Sequence, residues 1–200
     1  MRYAIAVLLL ASACSHAELP ATQDGDLIFQ TSLSSQSTAV QKATHSQYSH
    51  MGIVIFKDAA PYVVEASAKV KYTPLATWLK HGKGGHFVLK RLTHAKTVLT
   101  PAALQKLHEA ATHFEGRPYD LTFEWSDDRM YCSELVWKML KQATGLEVGA
   151  LQTIKDFDLT APAVRNKMQE RYGDHVPLDE TVISPAAMFS SPLLVTVAEG

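Results

Sequence analysis

Apolar residues recur along this chain in two rhythms, and the change between them divides it. The first half carries short runs with the β-branched bias of buried strands: Leu27-Ile28-Phe29-Gln30, Met51 to Phe56, Tyr62 to Ala66 and Phe87 to Leu92. Lys57-Asp58-Ala59-Ala60-Pro61 reads as a turn, so the second and third runs form a hairpin. Residues 36–44 (QSTAVQKAT) read as a short helix with Ser34 or Ser35 as its cap. Residues 74–80 fit one or two helical turns. Lys80 to His86, with three glycines, reads as a mobile loop.

Helical spacing takes over afterwards. Thr100 is a good N-cap, Pro101 takes the first helical position and Gly116 stands just past the end. Between them Leu104, Leu107, Ala111 and Phe114 make one apolar stripe. A polar stretch, Asp120 to Arg129, leads into a second helix that opens at Cys132 and ends near Gly145. Its face is Leu135, Val136, Met139 and Leu140. Thr160 to Gly173 reads as a further helix, Ser184-Pro185 opens a short one, and Leu193 to Val197 fits an edge strand. Strands cluster early and helices late, an α+β pattern. With no repeat or linker, residues 18–200 make one domain.

The first residues form a separate unit. Arg2 is a positive n-region and Tyr3 to Ala13 is apolar apart from Ser12. That run is too short to span a bilayer, which takes about 20 residues, and fits a secretory h-region. Ser15-His16-Ala17 is a small-x-small cleavage site, which makes residues 1–17 a signal peptide. Ala11-Ser12-Ala13-Cys14 resembles a lipobox, which would remove residues 1–13 and anchor a lipid at Cys14. Either way the protein is expected to be exported to the periplasm or envelope. No later run is long and apolar enough for a transmembrane span.

The formal charge of −1 gives no basis for nucleic-acid binding. Cysteine usage says more. The chain has two, and cleavage after Ala17 leaves Cys132 alone. A single thiol in an oxidising compartment forms no internal disulfide. It is either a small buried hydrophobe or a reactive nucleophile.

The neighbours of Cys132 favour the nucleophile. A helix N-terminus and a nearby imidazolium both favour thiolate, and Cys132 opens a helix. The same free N–H groups can hold an oxyanion. His50 stands at the mouth of the strand Met51 to Phe56 and is the candidate base, with His45 as its rival. Gly52 lets a neighbour approach that strand closely. Glu65 interrupts an apolar strand, where a carboxylate is costly unless paired. Facing His50 across the hairpin it would orient the ring; facing solvent it would pair with Lys69 or Lys71. One cysteine and scattered histidines make no tetrahedral metal set, and no cofactor motif appears.

These residues carry a resemblance. NlpC-type murein amidases, members of the papain-like superfamily, run from a helix through a G-x-P-Y loop to a D-C-S-G helix. G-D-L-v-F, H-v-G-I-y and a strand ending in a polar residue follow. This chain holds the same pieces in rotated order. Gly25-Asp26-Leu27-Ile28-Phe29, His50-Met51-Gly52-Ile53-Val54 and Val63-Val64-Glu65-Ala66 precede the helix 101–115, Gly116-Arg117-Pro118-Tyr119 and Cys132-Ser133-Glu134-Leu135-Val136. A compact fold tolerates such a circular permutation when its termini are close. From Asp24 to Pro185 the chain resembles the YiiX/YaeF group of permuted papain-like enzymes. Glu134 replaces the usual glycine, and Glu65 stands where unpermuted enzymes often have His; both agree with the permuted group.

The resemblance implies a small antiparallel sheet packed against the Cys132 helix, and a catalytic set of Cys132, His50 and Glu65. It makes Tyr119 an active-site tyrosine that either donates to the oxyanion or packs as a Pro-Tyr turn, with Tyr48 and Tyr131 as weaker candidates. The expected reaction is amide hydrolysis through an acyl-thioenzyme, on a cell-wall peptide or another small envelope amide. An acyltransferase or lipid-handling enzyme of the same fold is the first alternative, and a non-catalytic binding protein the second. A deep apolar groove beside Cys132 would favour acyl chemistry; a polar, acidic one would favour the amidase.

Overall fold

The computed structural model describes residues 20–200. The expected signal peptide and the alternative lipid anchor at Cys14 lie outside the described residues. Within them the chain runs β1 (Leu27–Gln30), α1 (Ser37–Thr44), β2 (His50–Lys57), β3 (Ala60–Ala66), β4 (Val70–Pro74), α2 (Leu75–Trp78) and β5 (Val88–Leu92). It continues through α3 (Ala95–Val98), α4 (Pro101–Phe114), α5 (Cys132–Thr144), β6 (Gln152–Thr153), α6 (Pro162–Tyr172), β7 (Thr181–Val182), α7 (Pro185–Phe189) and β8 (Leu194–Glu199).

Six strands form one antiparallel sheet in the order β4-β3-β2-β1-β5-β8. The β2–β3 hairpin closes on Asp58-Ala59, both at positive φ, the backbone of a tight two-residue turn. Ile53 faces Val64 in its register. Alternation then sorts the side chains. Met51, Ile53, Ile55, Val64 and Ala66 face the main core, while Ile28, Val54, Val63 and Leu89 meet Leu75 and Trp78 of α2 on the other side. Because β2 is covered on both faces, its sequence reads as an unbroken apolar run.

Helix α5 packs on β2 and β3 and beside α4. It is buried almost all round, at Cys132 to Trp137, Met139, Leu140 and Ala143. The expected arrangement of sheet against Cys132 helix is therefore present. Thr100 caps α4 by accepting from the Ala103 N–H. The α4 stripe is rotated slightly from expectation: Ala103, Leu107, Ala110, Ala111 and Phe114 are buried, and Leu104 is half-buried.

Three features differ from the sequence reading. Gln36, not Ser34 or Ser35, is the N-cap of α1, and its side chain makes no cap bond. Strand β4 had no expected counterpart, since Val70–Pro74 is short and mixes charged with apolar residues. Within the stretch read as a mobile loop, Lys80 to His86, the chain forms 3₁₀ turns at Leu79–His81 and Lys83–Gly85, and the Lys83 N–H donates to the Thr31 carbonyl. Strand β8 lies at the sheet edge, as its pattern suggested.

Candidate active site

Cys132 is the first residue of α5 and is 4% exposed. Tyr131 precedes it in extended conformation, the geometry of an N-cap, so the first N–H groups of the helix lack helical acceptors. The carboxylate of Glu134 reaches back to the Tyr131 N–H at 3.5 Å and pairs with Lys138 at 2.9 Å. Burial outweighs that pairing and pushes Glu134 up to about 7. Ser133 Oγ donates to the Ile183 carbonyl at 2.7 Å, and the Ile183 N–H donates to Tyr131 Oη at 3.1 Å. The start of the helix is thus tied to the C-terminal segment.

His50 opens β2 and Glu65 lies near the end of β3, so the antiparallel pairing brings both to one end of the hairpin. His50 Nε2 lies 2.6 Å from Glu65 Oε2. Thr73 Oγ1 donates to Glu65 Oε1 at 2.6 Å and Trp78 Nε1 donates to Glu65 Oε2 at 3.1 Å. The indole also stacks on the imidazole, with centroids 6.0 Å apart and planes at 24°. Lys71 is more distant, at 3.7 Å, and half-exposed. The alternatives left open for Glu65 resolve toward His50, although Lys71 retains a weak share.

Electrostatics follow from that geometry. Burial favours neutral Glu65, but the bond from His50, with help from Thr73 and Lys71, lowers it to about 2. Burial likewise disfavours charged His50. Hydrogen bonds to Cys132 and Glu65 and attraction to both outweigh it, raising His50 to about 10. With Nε2 committed to Glu65, Nδ1 is the ring nitrogen left for the thiol.

The other candidates separate. Tyr119 lies beside Cys132 in one cavity wall, and its hydroxyl accepts from Gln36 Nε2 at 2.6 Å. Gln36 Oε1 accepts in turn from Arg171 at 2.5 Å. Burial and the neighbouring Cys132 charge hold the Tyr119 phenol protonated, well above its ordinary range. Since Gln36 uses a lone pair, the hydroxyl proton stays free to be donated. Tyr131 also lines the cavity, but its hydroxyl is engaged with Ile183. Tyr48 is in the core, stacked 4.2 Å from Phe189. The rival His45 ends α1 on the surface, 74% exposed, 3.4 Å from Asp158.

Beside Cys132 a cavity of about 120 Å³ opens between α1, α6 and residues 182–185. Its walls are largely apolar.

Sequence reasoning missed Thr73, Trp78, Gln36 and Arg171. For Trp78 the signal was an aromatic residue within the helical turns expected over residues 74–80; the strand that carries it to Glu65 was not expected. For Gln36 and Arg171 no local signal exists, because each meets its partner across a long stretch of chain.

Comparison with known proteins agrees with this architecture. The family described as permuted papain-like amidase enzyme, YaeF/YiiX, C92 matches residues 21–198. The Escherichia coli (strain K12) protein YiiX is 49% identical over 191 residues, which cover 96% of this chain and 92% of YiiX. The crystal structure of yiiX from Escherichia coli O157:H7 superposes with a TM-score of 0.85 at 50% identity, covering 92% of this chain and 99% of that one. The O157:H7 protein is described as a metalloprotein. Among the described residues of this chain, no three His, Cys, Asp or Glu side chains converge as a ligand set for such an ion.

Proposed function

This chain belongs to the YaeF/YiiX family of permuted papain-like amidases, and we propose that it is a cysteine hydrolase with Cys132 as nucleophile. The observation that carries the reading is the 2.6 Å contact of His50 with Glu65, on a ring whose other nitrogen is left for Cys132. Glu65 fixes the tautomer and stabilises the imidazolium. His50 takes the thiol proton, and the thiolate adds to the amide carbonyl. The Cys132 backbone N–H and the Tyr119 hydroxyl donate to the oxyanion. The imidazolium gives its proton to the leaving amine as the C–N bond breaks. Water, deprotonated by His50, then splits the thioester to carboxylate and free thiol.

In this reading residues 1–17 direct export, and the substrate is an amide of the cell envelope. A specific observation favours the second reading, acyl chemistry on lipid-like compounds: the cavity beside Cys132 is apolar, and no acidic side chain lines it.

Digestion of envelope fractions by wild type and by Cys132→Ala, with mass spectrometry of the products, tests the reaction. New amine and carboxylate fragments should appear with wild type alone. Identical fragment sets from both proteins would remove the hydrolase reading.

A further inference from the structure

Among the residues that line the space beside Cys132, Lys167 and Arg171 carry charge; both are cations, one turn apart on α6. Glu170 meets Lys167 at 2.6 Å. Arg171 pairs with no carboxylate of the described residues. It is nonetheless held in place. One of its N–H groups donates to Gln36 Oε1 at 2.5 Å, and its guanidinium carbon lies over the Phe123 ring, 4.9 Å from the centroid. Phe123 presents that ring from φ 53°, a left-handed backbone that a bulky residue adopts only under constraint. A guanidinium has five N–H donors, and Gln36 uses one of them.

Gln36 links this cation to the chemistry. Its Nε2 donates to Tyr119 Oη at 2.6 Å, so one amide group and two hydrogen bonds separate the guanidinium from the phenol assigned to the oxyanion. A substrate whose carbonyl sits at Tyr119 thus needs only roughly two further atoms to bring an acceptor within hydrogen-bond reach of Arg171. The planar fork of a guanidinium matches a carboxylate, with two parallel charge-assisted bonds. We propose that Arg171 binds a carboxylate of the substrate, which makes the scissile amide the one beside a terminal carboxylate, as in N-acylamino acids and the last bond of a peptide. The inference rests on the reading of Cys132 as nucleophile and Tyr119 as oxyanion donor. The thiolate adds to the carbonyl carbon, the C–N bond breaks, and the nitrogen takes the His50 proton, so the free amino acid leaves first. Water then splits the thioester to the second carboxylate and the thiol.

Binding without turnover tests it. In calorimetric titrations of Cys132→Ala, N-acetylleucine should bind roughly tenfold more tightly than N-acetylleucinamide, its neutral counterpart. Added salt should weaken the acid and leave the amide unchanged. Placing Arg171→Gln in the same background should erase the preference by weakening the acid alone, and Arg171→Lys, which keeps the charge but loses the fork, should restore part of it. The salt series needs no change at Arg171, so it judges the site even should the glutamine variant fail to fold. Equal affinity for acid and amide, or binding of neither, overturns the proposal. So does a preference that survives Arg171→Gln, which would assign the anion to His50. Equal weakening of both ligands overturns it too, because Arg171 would then act only by holding Gln36 and Tyr119. Iodoacetamide labelling of the wild type judges the nucleophile separately. A labelled Cys132 without acid preference sinks the carboxylate site alone, whereas acid preference with an inert Cys132 supports the site and sinks the catalytic reading.

Discussion

Gly52 stands so close to Val63 on the neighbouring strand that a β-carbon there would fall 2.3 Å from Val63 Cγ1 and 2.8 Å from the Val64 carbonyl oxygen. The same β-carbon would lie 3.5 Å from Glu65 Cβ. Gly52 follows His50 by two residues on the same strand face, so its missing side chain leaves the imidazole room to reach Glu65. Gly52→Ala should therefore spread β2 from β3 and cost about 1–3 kcal/mol, as overpacking does. Urea unfolding would measure the loss, and an unchanged midpoint would show that the hairpin yields freely.

The His50–Glu65 pair gives stability a defined pH window. Glu65 is lowered from 4.5 to about 2 in the fold, so its contribution is complete above 4.5 and fades as pH falls toward 2. His50 is raised from 6.5 to about 10, through Cys132 and Glu65 against burial, so its contribution is complete below 6.5 and fades as pH rises toward 10. The stability gap between wild type and the double variant His50→Gln, Glu65→Gln should be widest between pH 4.5 and 6.5. Denaturation midpoints across pH 3–10 would check it; a gap independent of pH contradicts the pairing.

Alkylation reports on the nucleophile directly. Iodoacetamide should modify Cys132 readily at pH 6 in wild type and in His45→Ala, and at least tenfold more slowly in His50→Ala. Peptide mass mapping with timed quenching gives the rates. A cysteine that reacts only after denaturation would be a structural residue.

Tyr119→Phe removes one oxyanion donor and should lower kcat by roughly 10²-fold with little change in KM. Gln36→Leu leaves the phenol in place but frees it to rotate, so a smaller loss of kcat is expected. Steady-state kinetics with p-nitrophenyl acetate would separate the two. A loss confined to KM would mean that Tyr119 only binds substrate.

Export is read from residues 1–17. Intact mass of the protein recovered from cells should correspond to a chain beginning at Glu18, or to a lipid-modified chain beginning at Cys14. Retention of Met1 would defeat both.

Much of the fold was legible because its causes are local. Strands β1, β2, β3 and β5 show as β-branched apolar runs. Helices α4 and α5 show by their stripes and by Thr100, Pro101, Gly116 and Gly145. The family resemblance added Cys132, His50 and Glu65, whose short motifs survive the permutation intact. Tyr48 was misplaced because nearness to His50 in sequence says nothing about direction: the residue precedes β2, and its ring turns into the core against Phe189.

The sequence by itself determined the main strands and helices and set the motifs of Cys132, His50 and Glu65 on them, since period, caps and motifs act over a few residues. Tertiary structure alone decided what surrounds those residues. Gln36 meets Tyr119 across 83 residues and Arg171 meets Gln36 across 135. Thr73 and Trp78 reach Glu65 only after β4 folds beside β3 and α2 turns back under the sheet. The apolar cavity exists because Ala39 and Ala43 face α6 across a gap that neither helix fills. Such contacts depend on the path of the backbone between distant segments, and side-chain reach leaves no period or spacing in the chain from which to read it.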